Sequence, residues 1–145
     1  MIKILRLSTS LALAISFLTI VFAQERQHQT IKVDGEDVYL SFRIPDDYDQ
    51  RKTYPLLLGP GDGKPDDDAS YFWRSNVSKS QWILAESACF FSDNAVQQTR
   101  EVINYLSKKF NIEGKKAHLV GFSANSGMIF KSGLALPKVV ASITG

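Results

Sequence analysis

The chain has 145 residues, of which 44% are hydrophobic and 22% charged, the make-up of one modest globular domain. Of its 17 basic residues, Lys3 and Arg6 lie at the extreme N-terminus, which leaves 15 against 15 acidic ones. Nucleic acid and anionic membrane surfaces demand concentrated positive charge, so neither is an expected partner.

Met1 to Ala23 reads as a secretory signal peptide. Lys3 and Arg6 give a positive start, Leu11 to Phe22 is an apolar run, and Val21-Phe22-Ala23 offers small side chains where a signal peptidase reads. The run falls short of the roughly 20 apolar residues of a membrane span, which leaves an uncleaved anchor helix as the alternative. No cysteine sits near the cleavage point to take a lipid. The mature domain is expected to be residues 24–145, secreted or periplasmic, with no membrane attachment after cleavage. Gln24 to Gln29 is polar and expected to be loose, which would leave His28 without a role.

Thr30 to Gly35 and Val38 to Ile44 predict two strands joined at Asp34-Gly35-Glu36. In the second, Val38, Leu40, Phe42 and Ile44 alternate with Tyr39, Ser41 and Arg43, the period of a strand with one buried face. Tyr54 to Leu58 is a short apolar run, as in a strand covered on both faces, and Gly59-Pro60-Gly61-Asp62-Gly63 follows it. This loop lacks the Lys-Ser/Thr of a phosphate-binding P-loop. Pro65 to Arg74 predicts a helix start with Asp66, Asp67 and Asp68 in its first turn. EF-hand spacing is absent, so the three aspartates are not a calcium loop. Tyr71, Phe72 and Trp73 are expected in the core, and Asn76-Val77-Ser78 is a glycosylation acceptor triplet.

Trp82 to Phe91 is expected to hold the next buried strand, with Cys89 as a small buried hydrophobe and no internal disulfide partner. Ser92-Asp93-Asn94 offers an N-cap. It also mimics a short motif of penicillin-binding enzymes, whose partner motifs are absent. Val96, Thr99, Val102, Ile103, Leu106 and Phe110 then form one apolar helix face. Lys108 and Lys109 lie in its last turn, and Gly114 is expected just past its end.

The densest signal is Lys116 to Gly127. An apolar run ends in Gly121-Phe122-Ser123-Ala124, and a helix is predicted from Met128 to Leu136. Strand, sharp turn and helix with a serine at the tip is the layout of a nucleophile elbow. Gly121 fills the small position two before Ser123, and Asn125 stands where a glycine is usual two after it. Pro137 then breaks the chain, and Val139 to Ile143 predicts a last strand. Such alternation of strands and helices gives a parallel sheet with helices on its faces.

On these motifs, the run from Thr30 to Gly145 resembles the α/β-hydrolase fold. Within that fold it resembles secreted esterases related to polyhydroxybutyrate depolymerases and feruloyl esterases. The resemblance implies a three-layer αβα sandwich with a mostly parallel sheet, here incomplete at the C-terminus, opened by an antiparallel strand pair. It implies Ser123 as nucleophile and the N–H of Ala124 as one oxyanion donor. A second donor would come from the loop after the third strand, with Asp62 the first candidate and Gly63 the next. A plain surface turn is the competing reading of that loop. The implied substrate is a small ester or an ester in a polyester or polysaccharide, with no metal or other cofactor.

A serine needs a base, and in this fold the chain order is serine, acid, histidine. No Asp, Glu or His follows Ser123. His118 precedes it by five residues on one strand, about 16 Å at roughly 3.3 Å per residue, and is expected to be structural. Lys131 and Lys138 are poorly placed. Three readings stay open: an ester hydrolase, a non-catalytic hydrolase-fold binding module or non-functional fragment, and another α/β fold in which Ser123 is a plain turn residue. A peptidase or acyltransferase on the same elbow would have the same sequence signature.

Overall fold

The structure, a computed structural model, describes residues 26–64 and 81–145. The expected signal peptide, the helix start at 65–74 with its aromatic residues, and the triplet at Asn76 lie outside the described residues. Six strands are described: β1 Gln27–Val33, β2 Glu36–Arg43, β3 Tyr54–Pro60, β4 Ile83–Ser87, β5 Ile112–Val120 and β6 Val140–Thr144. Two α-helices accompany them, α1 Ala95–Lys109 and α2 Ser126–Ala135.

The strands form one sheet in the order β1-β2-β4-β3-β5-β6. β1 pairs antiparallel with β2 and β2 with β4, while β4, β3, β5 and β6 run parallel. The turn between β1 and β2 is Asp34 at φ 51° and Gly35 at φ 87°. Two successive positive φ angles give the tight hairpin turn that Asp-Gly favours. β1 starts at Gln27, three residues earlier than the sequence suggests, so the expectation of a loose tail fails at Gln27 to Gln29. These polar residues are held by pairing with Phe42, Ser41 and Leu40, and β2 is long enough to offer them partners.

Leu40, Phe42, Leu56, Leu58, Ile83, Ala85, Ala117 and Leu119 are buried on one face of the sheet. Val102, Ile103 and Leu106 of α1 and Ile129 of α2 belong to the same core. The helices touch each other, and Gly133 of α2 lets the helix settle against Ile143 and Leu119. On the other face Leu57, Leu84, His118 and Val120 are half-buried.

Two local expectations are corrected, and the N-cap expectation is met in position but not through a side-chain bond. Gly114 does not close α1: the helix ends at Lys109 with Phe110 already extended, and Gly114 lies inside β5. There Gly114 and Lys115 take φ 57° and 53°, and pairing with β3 jumps from Tyr54↔Ile112 to Leu56↔Ala117. The extra residues of β5 bulge out, which a positive φ at glycine allows. Asn94 occupies the N-cap of α1 without a side-chain bond, and Ser92 instead accepts the Asn94 N–H on its hydroxyl at 3.1 Å. β4 stops at Ser87, because Ala88–Phe91 turns as a 3-10 helix capped by the Ser87 hydroxyl, which accepts the Cys89 N–H at 3.2 Å.

β3 lies between β4 and β5, with Leu58 level with Leu119. The loop after β3 and the turn after β5 therefore leave the same rim from neighbouring strands. This alignment depends on the packed centre of β5. Leu119→Ala is expected to cost about 2–5 kcal/mol, read as a lower urea midpoint.

Candidate active site

β5 makes a late sheet bond from the Gly121 N–H to the Thr144 carbonyl of β6 at 2.7 Å. Phe122 remains extended, at φ −148° and ψ 132°. Ser123 then takes φ 54°, in the left-handed region, and Ser123–Asn125 wind as a 3-10 turn into α2. For a residue with a Cβ this conformation costs roughly 1–2 kcal/mol, and such strain persists only where the surroundings enforce it. The enforcement is visible at Gly121. A Cβ there would lie 2.9 Å from Ile129 Cδ1 and 3.0 Å from Ser126 Cα, so the first turn of α2 rests directly on the end of β5.

Ser123 and Ala124 are exposed at this rim. The N-terminus of α2 beside them carries the partial positive charge of unpaired backbone N–H groups and has no acidic residue in its first turn. Asn125, at the position usually held by glycine, sits at φ −77° and ψ −18°. That is ordinary helical backbone, so the departure from the glycine pattern imposes no strain. Asp34 in the β1–β2 turn and Lys115 in the β5 bulge share this φ, so what sets Ser123 apart is its place between the end of β5 and the start of α2.

The loop after β3 is fixed along its length. The Gly61 N–H donates to the Ser87 carbonyl at 3.3 Å, and the Lys64 N–H donates to Asp62 Oδ1 at 2.8 Å. Gly63 takes φ 70°, and a Cβ on it would lie 2.6 Å from the Leu40 nitrogen and the Tyr39 carbonyl. Gly63 is thus drawn onto β2, on the far side of β4 and β3 from β5. That placement removes it as the alternative donor beside Ser123. Asp62 is exposed on the loop, between Gly61 at β4 and Gly63 at β2, so the structure does not bring it beside Ser123 either.

Neither histidine serves Ser123. His118 Nδ1 lies 2.8 Å from Ser142 Oγ on β6, and its ring meets the Trp82 ring at 5.0 Å. His28 is on β1, not in a loose tail, and its Nδ1 lies 3.2 Å from the Gly63 carbonyl. Lys131 and Lys138 are exposed, on α2 and before β6. Among the described residues no group of three or more His, Cys, Asp or Glu could hold a metal ion, and no helix is long and apolar enough to cross a membrane. One feature escaped the sequence reading: Glu86, 5% exposed at the end of β4, is ion-paired with Arg26. A lone carboxylate inside the apolar run Ile83 to Phe91 was the available signal.

No protein-family model matches the chain, and no curated protein matches it. Solved structures do. A thermostable esterase aligns with TM-score 0.66 and 14% identity over 81% of this chain and 40% of its own. Est1E from Butyrivibrio proteoclasticus aligns with TM-score 0.63 and 10% identity over 80% of this chain and 48% of its own. A protein assigned as a dipeptidyl aminopeptidase IV from Bacteroides ovatus aligns with TM-score 0.65 and 15% identity over 82% of this chain and 20% of its own. The fold is of the α/β-hydrolase type, with a mostly parallel sheet, as the elbow and the strand order imply. The chain spans between a fifth and half of the length of these structures.

Two measurements bear on this geometry. Ser123→Gly is expected to be more stable than Ser123→Ala by up to about 1 kcal/mol in denaturant titration, because only glycine relieves the left-handed strain. Cys89 is buried, and burial pushes its thiol from 9.0 up to about 11, with weaker lowering by bonds to Thr99 and Ser87. The folded state therefore favours the neutral thiol. That stability is intact below pH 9.0 and lost as pH rises toward about 11. Melting temperature measured across this range should fall more for the native chain than for Cys89→Ala.

Proposed function

We propose that residues 24–145 form the nucleophile-bearing part of a secreted serine hydrolase of carboxylic esters, related to polyhydroxybutyrate depolymerases and feruloyl esterases. The substrate is a small ester, or an ester within a polyester or linked to a polysaccharide. Met1 to Ala23 supports export, to the periplasm or the exterior. The observation that carries the reading is the φ of 54° at Ser123, between a strand end and a helix start. Strain of that kind has a purpose where a hydroxyl must stand clear of the sheet.

In the proposed reaction Ser123 Oγ bonds to the ester carbonyl carbon and gives its proton to a base. The N–H of Ala124 holds the oxyanion as it forms, while Asp62, the other donor the resemblance implies, lies on a loop drawn toward β2. The alcohol leaves with the proton, and water then releases the acid from the acyl-serine. His118 and His28 are engaged elsewhere, and no Asp, Glu or His follows Ser123. The base and its orienting acid are therefore taken to come from outside Met1–Gly145. The same absence favours the second reading, a non-catalytic hydrolase-fold binding module or a non-functional fragment.

Imidazole added to the purified chain can stand in for the missing base. With p-nitrophenyl butyrate, acylation of the Ser123 peptide is expected by mass spectrometry, with p-nitrophenol release exceeding that of Ser123→Ala at equal imidazole. Equal rates in both proteins reject Ser123 as nucleophile. No acylation at any imidazole concentration favours the non-catalytic reading.

A further inference from the structure

Four residues stand level across four strands at the rim: His28 on β1 opposes Ser41 on β2, Ser41 opposes Glu86 on β4, and Glu86 opposes Gly59 on β3. Directly opposed residues share a face of the sheet. Arg26, two residues before His28, reaches across this row. Its Nε donates to Ser41 Oγ at 2.8 Å, and its Nη2 donates to Glu86 Oε2. The Arg26 and Glu86 side chains are 18% and 6% exposed, so the pair is largely removed from water. A buried ion pair gains little net stability over apolar residues of similar volume. What this one touches is the loop after β3. A Cβ on Gly61 would lie 2.9 Å from Glu86 Cβ and 3.1 Å from Glu86 Oε2. Two residues on, the Gly63 carbonyl faces His28 Nδ1, which donates to it in the tautomer carrying a proton there. Glu86 therefore abuts the loop at Gly61 and His28 takes hold of it at Gly63, with Asp62 between them.

We propose that Arg26, Glu86 and His28 are positioning residues that fix the 61–64 loop across β4 and β2 and so hold it off β5 and the Ser123 elbow. The functional half of this inference rests on the proposed nucleophile role of Ser123, whose approach the held loop leaves open; the structural half does not. Arg26 locks the carboxylate through a charge-assisted bond, and Ser41 keeps the guanidinium in the plane that reaches Glu86. The carboxylate then sets how closely Gly61 approaches β4.

The test is amide hydrogen exchange by NMR on the purified chain and its variants. Glu86→Gln and Arg26→Met are each expected to speed exchange at Gly61, Asp62, Gly63 and Lys64 about tenfold, leaving Ala117 and Leu119 unchanged. Arg26→Lys keeps a cation opposite Glu86 but loses the fork that also reaches Ser41, and should bring the loop only part of the way back to the native rates. His28→Ala, a surface-edge change that spares the ion pair, should release Gly63 and Lys64 more than Gly61. Unchanged loop exchange, an equal rise at every amide, or no recovery in Arg26→Lys overturns the proposal. If the native chain does not acylate at all in the imidazole assay, the catalytic reading falls, and loop exchange still decides whether these residues hold the loop.

Discussion

Ser123 is held at φ 54° between the strand before it and the helix after it. Here the two are anchored in one core. Ala117 and Leu119 bury the end of β5, and Ile129 buries the first turns of α2. Gly121 carries no side chain, so Ser126 and Ile129 can close to within contact of its backbone. The chain has then no relaxed route from sheet to helix, and the residue at the corner takes the strain. The consequence is an exposed hydroxyl next to a helix N-terminus, the local requirement for an oxygen nucleophile with a donor beside it.

Parallel pairing brings the second element to the same place. β3 is β5's neighbour although the stretch 61–111 separates them, because the connections cross over within the sheet. Their carboxyl ends leave the sheet level with each other, which is where open α/β sheets place ligands. The loop from β3 does not lean toward the elbow, however. It is drawn the other way, over Glu86 and onto the backbone of Tyr39 and Leu40. The antiparallel hairpin of β1 and β2 is thus more than an opening to the sheet: it supplies the floor on which that loop rests.

The bulge in β5 shows how the sheet accommodates both ends of one strand. Three more residues of β5 than of β3 lie between the paired positions Tyr54↔Ile112 and Leu56↔Ala117. Gly114 and Lys115 absorb them with positive φ angles. From Ala117 onward the register is regular, and that regular part is what aligns the elbow with the β3 loop. An irregularity at the far end of the strand therefore leaves the rim untouched.

Much of this was legible in the residues themselves. The alternation from Val38 to Ile44, the apolar run Tyr54 to Leu58, the helical face from Val96 to Leu106 and the Gly121–Ser123 turn are each written in local periodicity or in a residue's allowed backbone angles, and each appears as an element near where the pattern puts it. What the order of residues left open was set by partners distant in sequence. Gln27 to Gln29 are strand because β2 pairs with them, Gly114 is a bulge because β3 pairs with Ala117, and Gly63 is turned from the elbow because β2 meets it. Arg26 finds Glu86 across β2, an encounter no periodicity encodes. Side-chain pattern is a property of neighbours along the chain, whereas pairing, burial of charge and loop direction are settled by which surfaces the folded sheet brings into contact.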